Sequence, residues 1–435
     1  MGIDSRLPLM QDADLEGKVV LVRVDHNVIK KGAIKDPYRI DATLGTLYSI
    51  AERGGRIILM SHVGRPRDKK TGSIKTGGET SVRAIAEYLG RKLCTSFVVP
   101  DLEVDPQRGI VAIDDSVKRL VEDLRKRKIG GIYLPNTRWF EGEQDEAGAR
   151  DLMSAQLAGL ADVFVNDAFG SWQPHASTHH VTTRLPSFAG PLMQKEIENL
   201  GRVLEPERPF VAVIAGSKYD TKIGPLGEIY KKVDRLILGG VIYNAYLCAK
   251  YGIRVQGVDQ ADVDLAGRLV EIDRTEGKIV ELPHVVESDS LSERLEGGYR
   301  TLSISDMSEG LECGYILDAA PESFEDEHVA RALTFARTIF VNAVMGFTPM
   351  FREGSEALYK AVSDNDEAMK LLGGGDTLQE FKTLCPGRYM SALDDQRFYF
   401  FTGGGTVLKA IEQGSAYGLP TVAALIDNGG TPPLH

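Results

Sequence analysis

The chain has 435 residues, 43% of them hydrophobic and 26% charged, with a formal net charge of -11. That length exceeds one ordinary core and predicts two domains of about 200 residues each. The acidic balance excludes general nucleic-acid or membrane-surface binding, so cations gathered in one place would form a local field for small anions. Cys94, Cys248, Cys313 and Cys385 lie far apart without metal-ligand spacing, which predicts reduced thiols and neither a zinc site nor a disulfide framework. No run approaches the roughly 20 apolar residues of a membrane helix, and Met1 to Asp14 is polar. The expectation is a cytoplasmic enzyme acting on small molecules, with neither nucleic acid nor membrane as partner.

Short apolar runs alternate with amphipathic stretches, the pattern of parallel βαβ units and so of an α/β fold. In the first half the runs end on polar or charged residues. Leu21 to Val24 leads to Asp25 and Asn27, Ile57 to Met60 to His62 and Arg65, Ile132 to Leu134 to Asn136 and Arg138, and Val163 to Val165 to Asn166 and Asp167. Helices are predicted at 41–53, 82–91, 115–126 and 146–160. Breakers between Leu185 and Pro191 precede a charged helical stretch, and Pro206 and Pro209 follow it. The division is therefore an N-terminal domain at 1–190, a connecting helix and hinge at 191–206, and a C-terminal domain at 207–415. A tail at 416–435 can pack back on the N-terminal domain and is expected to lack regular structure from Asp427 to Pro433.

In the second half the runs end on glycines. Val211 to Ile214 leads to Gly216-Ser217-Lys218, Leu236 to Leu238 to Gly239-Gly240, Met369 to Leu372 to Gly373-Gly374-Gly375-Asp376-Thr377, and Phe398 to Phe401 to Gly403-Gly404-Gly405. Helices are predicted near Ala245 and at 325–338, 356–362, 378–384 and 406–412. Glycines between a strand and a helix let backbone N–H groups approach phosphate oxygens at the positive helix end. Asp376 is placed to hold magnesium, and Thr377 to cap the helix or touch a phosphate. A tight β-to-α turn needing glycine for geometry alone is the plainer reading of each motif. The second triple-glycine turn favours phosphate.

Neither a P-loop nor a dinucleotide-binding glycine fingerprint is present. Lys218 and Lys222, four apart, share one face of a helix and could both reach a transferring phosphoryl group, although solvated surface lysines are the ordinary case. Arg39, Arg65, Arg138 and His62 could pocket a phosphate or carboxylate, for which the planar guanidinium fork is suited, while Asp25 and Asn27 could recognise a hydroxyl. In open α/β sheets ligands lie beyond the carboxyl ends of strands, so two anionic ligands are indicated.

With these blocks in view, the chain resembles the phosphoglycerate kinase family along nearly its whole length. The resemblance rests on Val22-Arg23-Val24-Asp25-His26-Asn27, Arg39-Ile40-Asp41-Ala42, Ser61-His62-Val63-Gly64-Arg65-Pro66, Asn136-Thr137-Arg138-Trp139-Phe140 and Val165-Asn166-Asp167-Ala168-Phe169-Gly170. Gly216-Ser217-Lys218 with Lys222, Gly239-Gly240, Met345-Gly346 and the Gly373 to Thr377 block complete it. It implies two Rossmann-like domains with parallel sheets joined by a hinge helix, 3-phosphoglycerate on the first, Mg2+ with ATP or ADP on the second, and a monomer. Carried over, Asp25, Asn27, His62, Arg65, Arg138 and His175 would hold the phosphoglycerate, with Arg39 beside the accepting carboxyl group. Lys218 and Lys222 would stabilise the phosphoryl in flight, Asp376 would serve magnesium, and Gly374, Gly375 and Gly404 would donate backbone hydrogen bonds. Gly216, Gly240, Asn342, Gly373 and Thr377 would line the nucleotide site.

Departures are local. Ser171-Trp172-Gln173-Pro174-His175 stands where the family has a histidine- and arginine-bearing stretch, and only His175 matches. Val241 and Val344 stand in glycine-rich nucleotide blocks, Gly346-Phe347-Thr348-Pro349 lacks the glutamate that commonly binds ribose, His26 replaces an apolar or aromatic residue, and Ile29 a proline. These leave open a paralogue acting on another small carboxylic acid or nucleotide, or a catalytically weak ligand-binding homologue.

Overall fold

The computed structural model describes residues 2–145, 148–216 and 223–430. The chain divides into two compact units, Met1–Glu198 with Ala416–His435, and Asn199–Ser415, so the division falls inside the helix Pro191–Leu204. Among the described residues no helix is long and apolar enough to cross a membrane.

The first unit is built on β1 (Val19–Arg23), β2 (Arg56–Met60), β3 (Phe97–Val98), β4 (Gly131–Tyr133), β5 (Val163–Asn166) and β6 (Ser187–Ala189). They form one parallel sheet in the order β3-β4-β2-β1-β5-β6. β1 is buried on both faces, as expected for a central parallel strand flanked by helices. Because strand side chains alternate, Val20 and Val22 pack with Ile57, Leu59, Ile85 and Leu89 on one face. Val19 and Leu21 pack with Ile58, Phe164, Val117 and Leu124 on the other. The helix Asp115–Arg125 presents Val117, Val121 and Leu124 to that second face, and its start is fixed by the Asp114 carboxylate accepting the Ser116 N–H at 2.7 Å.

In the second unit β7 (Phe210–Gly216), β8 (Arg235–Gly239), β9 (His284–Ser288), β10 (Tyr299–Ser303), β11 (Tyr315–Ala319), β12 (Thr338–Asn342), β13 (Met369–Gly373) and β14 (Phe398–Phe401) make two sheets. The larger is parallel in the order β8-β7-β12-β13-β14. The smaller, β10-β9-β11, is antiparallel and adds to the expected architecture.

Three sequence expectations change. The helix expected at 325–338 runs only from Glu327 to Thr334, and Thr338 opens β12. Asp326 caps that helix by accepting the N–H groups of His328 and Val329, whereas the Thr338-Ile339-Phe340-Val341 run, β-branched and aromatic, is wholly buried between β7 and β13. Asp427 and Asn428 belong to a regular helix, Pro420–Asn428, opened by proline at its first turn. It buries Val422 and Leu425 in the first unit and sends the Asn428 amide to Thr182 Oγ1 at 3.2 Å. Residues 41–53 break into Tyr38–Asp41 and Leu44–Glu52.

Two buried titratable groups shape this unit. The Asp167 carboxyl, just past β5, accepts the N–H groups of Leu192 and Met193 at 2.9 and 3.2 Å and the Thr46 hydroxyl at 2.6 Å, tying the first turn of the Pro191–Leu204 helix to the sheet. Burial outweighs these bonds and raises it to about 6. His26 is fully buried between Tyr133 and Thr43, each 3.0 Å from a ring nitrogen. The Thr43 hydroxyl is spent on Ile40 O at 2.8 Å, so Thr43 accepts from His26 Nε2–H and Tyr133 donates to Nδ1. Burial lowers this imidazole to about 3.

The two groups give opposite slopes. The native Asp167 keeps its proton to higher pH than the unfolded chain does, so its contribution is complete below the ordinary carboxyl value and falls as pH rises towards 6. Asp167→Asn retains the acceptor for Leu192 and Met193 and is expected to gain about 3 kcal/mol relative to wild type between about pH 4 and pH 7, by urea unfolding. Parallel curves would show an ordinary carboxyl. For His26 the unfolded chain binds the proton first, so stability falls as pH drops from 6.5 towards 3. His26→Phe should flatten that acid limb while costing about 1–3 kcal/mol at neutral pH for each buried partner left unsatisfied. An unchanged acid limb would place the sensitivity elsewhere.

Candidate active site

In the first unit the functional side chains collect past the carboxyl ends of β1, β2, β4 and β5. Asp25 is 5% exposed, and its Oδ2 lies 3.3 Å from Arg39 Nη1 on the short helix Tyr38–Asp41. Asn27 Oδ1 accepts the Gly64 N–H at 2.8 Å, joining the β1 and β2 ends. Arg138 donates from Nη1 to Gly64 O at 2.5 Å, from a turn capped by Asn136. The Asn136 amide also donates to Val63 O at 2.7 Å and Thr80 O at 2.9 Å, so one side chain aligns the loops that carry His62 and Arg138. Arg65 is exposed.

Behind these residues lies Arg23, which is 1% exposed. It donates from Nε to Ser177 Oγ at 2.9 Å, from Nη1 to Val24 O, and from Nη2 towards Ser171 Oγ at 3.4 Å and His62 Nδ1 at 3.0 Å. A guanidinium only donates, so His62 Nδ1 accepts and Nε2 carries the proton. Burial first, then Arg23, Arg138, Arg39 and His175, hold His62 well below the usual histidine range and keep it neutral. His175 is lowered by burial and by Arg138 and Arg23 against the pull of Glu143, and its Nε2 meets Gln173 Oε1 at 3.2 Å.

Asp25, Asn27, Arg39, His62, Arg138 and His175 thus fall in one neighbourhood, and Arg65 adds its charge beside Arg138. Asp25 Oδ1 and Arg138 Nε are buried and have no hydrogen-bond partner among the described residues. A bare acceptor and a bare cationic donor in one cluster suit a hydroxylated anion. Arg23, Asn136, and Glu143 with Ser177 carry no role in the sequence reading. The available signal was a lone arginine inside the apolar Val19 to Val24 run.

In the second unit a cavity of about 580 Å³ opens at the carboxyl ends of β7, β8, β12 and β13. Gly216, Gly240, Asn342, Gly374, Gly375, Asp376, Thr377 and Gly404 all line it. Gly373, the last residue of β13, gives its carbonyl to the Asn342 amide at 2.8 Å. Gly374 has φ +112°, and a Cβ there would lie 3.1 Å from both Asn342 Nδ2 and Thr377 Oγ1. At Gly404 a Cβ would meet Gly374 N at 2.4 Å, so the two triple-glycine turns need glycine in order to touch. Helices Gly375–Leu384 and Gly404–Gln413 start here, with backbone N–H groups uncommitted in their first turns. Thr377 is not the cap: Gly374 holds that position, and the threonine hydroxyl, 3% exposed as a residue, accepts the Ala343 N–H at 3.1 Å. Asp376 is an exposed carboxylate on the first turn of its helix. No cluster of three or more metal-ligating residues occurs among the described residues. Lys218 and Lys222 lie outside the described residues.

A profile of the family described as phosphoglycerate kinase matches residues 10–414. The phosphoglycerate kinase of Moorella thermoacetica is 35% identical over 428 residues, covering 96% of this chain and 98% of that protein. That of Rubrobacter xylanophilus is 34% identical over 422 residues, covering 96% and 97%. Among solved structures, phosphoglycerate kinase from Coxiella burnetii superposes with a TM-score of 0.73 at 29% identity, covering 97% of this chain and 99% of that one. The Pyrococcus horikoshii enzyme, at 21% identity with a TM-score of 0.75 over 96% and 98%, shares the fold. This chain therefore belongs to the phosphoglycerate kinase family of phosphotransferases.

Proposed function

We propose that the chain transfers a phosphoryl group reversibly between ATP and the carboxyl group of 3-phosphoglycerate with magnesium, as a cytoplasmic monomer. The observation that carries this reading is the buried pair of unsatisfied atoms, Asp25 Oδ1 and Arg138 Nε, within a cluster of arginines around a neutral histidine. Arg65, Arg138, His62 and His175 hold the phosphate, Asp25 and Asn27 meet the hydroxyl, and Arg39 faces the carboxyl group. The nucleotide phosphates lie on the N–H groups of Gly374, Gly375 and Gly404, with Asp376 as the protein ligand of magnesium. Magnesium held at Asp376 would supply charge neutralisation for the nucleotide's phosphate oxygens. A carboxylate oxygen of the acid attacks the γ-phosphorus as the bond to ADP breaks, and Lys218 and Lys222 meet the charge on the moving group. No covalent enzyme intermediate is needed, because alignment and charge stabilisation lower the barrier. Membership of the family favours this activity over another acid or a binding-only role.

A coupled assay with 3-phosphoglycerate and MgATP should give turnover of about 1–1000 per second. None in folded protein would overturn the assignment. Arg39→Ala is expected to lower kcat/KM by about tenfold to a hundredfold, mostly in kcat, since a bond to the reacting carboxyl changes during transfer. A pure KM effect would remove Arg39 from that role. Lys218→Ala should likewise cost turnover far more than nucleotide affinity. Gly374→Ala should weaken MgADP binding by about tenfold or more in calorimetry while leaving 3-phosphoglycerate binding intact, since a side chain at that φ is strained. Unchanged MgADP affinity would mean the turn does not cradle phosphate.

A further inference from the structure

The second unit has another, larger cavity, about 1130 Å³, at the amino ends of β7 and β8. The cavity proposed for the nucleotide opens at the opposite, carboxyl ends of the same two strands, at Gly216 and Gly240. Seven residues of β7 span about 20 Å, so a ligand here would not overlap one in the nucleotide pocket. The wall is apolar at Pro209, Val211, Ile279, Val280 and Pro283, and Phe335, 66% exposed, adds an aromatic face.

The charged groups of this wall, Arg208, Arg235 and Arg331 against Asp234, Glu281 and Asp326, are equal in number but unequally paired. Each of its carboxylates is engaged. Asp234 accepts from Arg208 Nη1 at 2.7 Å and from the Phe210 N–H at 2.6 Å. Glu281 pairs with Lys250 at 2.6 Å, and Asp326 receives the first N–H groups of the helix Glu327–Thr334. Two guanidiniums have no such counterpart among the described residues. Arg235 donates only to the Asp234 carbonyl at 2.8 Å, and Arg331 lies over the Phe335 ring at 5.8 Å. Among the described residues Arg235 and Arg331 are thus left without a carboxylate partner on a wall whose three carboxylates are all engaged.

We propose that this cavity is a second ligand site, taking a small amphipathic anion: a carboxylate or phosphate carried on an apolar or ring-bearing body. The acidic head pairs with Arg235 and Arg331, whose planar forks suit a two-oxygen acceptor. The body lies on Pro209, Ile279 and Phe335, where burying apolar area provides the remaining affinity.

The test is a fluorescence titration of anilinonaphthalene sulfonate, an anion on fused rings, into the full chain saturated with MgADP. One saturable site is expected, weakened about tenfold or more in the double variant R235A/R331A. Neutral phenyl-naphthylamine should bind wild type and double variant alike. The substituted side chains are exposed, so the variants should fold, which unfolding curves check. Absence of saturable binding with MgADP present, unchanged dye affinity in R235A/R331A, or equal loss for the neutral dye would each overturn the proposal.

Discussion

The first unit is organised by one electrostatic constraint, the burial of the Arg23 guanidinium at the end of β1. At 1% exposure it has almost no water to solvate it, and arginine cannot neutralise by losing its proton. Its donors must therefore meet fixed acceptors. Ser177, Ser171, His62 and the Val24 carbonyl supply them, and Glu143, itself 1% exposed, supplies the compensating charge through Ser177 at 2.7 and 3.0 Å. Removing one member of such a set strands the other charge, at a cost of about 3–5 kcal/mol. The segments bearing His62, Glu143 and Ser171 to Ser177 are thus held together by the same side chain.

That constraint also sets the chemistry of His62. Because Arg23 donates to Nδ1, the histidine offers Nε2–H, and burial, helped by the surrounding arginines, keeps it uncharged. A neutral donor adds a hydrogen bond to an anion site without adding to the repulsion among Arg23, Arg39, Arg65 and Arg138. The second unit offers a different kind of donor. Its described phosphate candidates are backbone N–H groups at two helix starts, whose partial positive charge costs no desolvated cation. Glycine is required because the two turns approach within the radius of a side chain at Gly374 and Gly404.

Much of this was legible because parallel strands read as apolar runs and their carboxyl ends carry the ligand residues. Val19–Arg23 and Met369–Gly373 are the strands those runs predict, and the residues proposed to bind ligands, Asp25 and Asn27 and Gly374 to Asp376, come just after them. β12 did not read as a strand, since an apolar stretch buried on both faces has no period that separates it from a helix. The antiparallel β9, β10 and β11 are short, and β10 is largely exposed. The Arg23 network was invisible for another reason: Ser177 lies 154 positions away, beyond any local pattern. Thr377 matched a capping residue by type, yet its hydroxyl was committed to Ala343 by a fold-level contact.

The same distinction separates sequence departures that touch chemistry from those that do not. His26 breaks an apolar motif position, but both ring nitrogens are satisfied inside the core, so the change alters acid stability and leaves the anion cluster's donors as they are. Val241 and Val344 are different, because both line the cavity proposed for the nucleotide. Their side chains take up space and present apolar surface there, and Gly346 to Pro349 offers no carboxylate. The first unit compensates its own departure in part: Ser171 is drawn to Arg23 and His175 remains near His62 and Arg138. Divergence from the family's usual motifs therefore changes the lining of the second unit's cavity at Val241 and Val344, while in the first unit the residues proposed to hold the acid stay together.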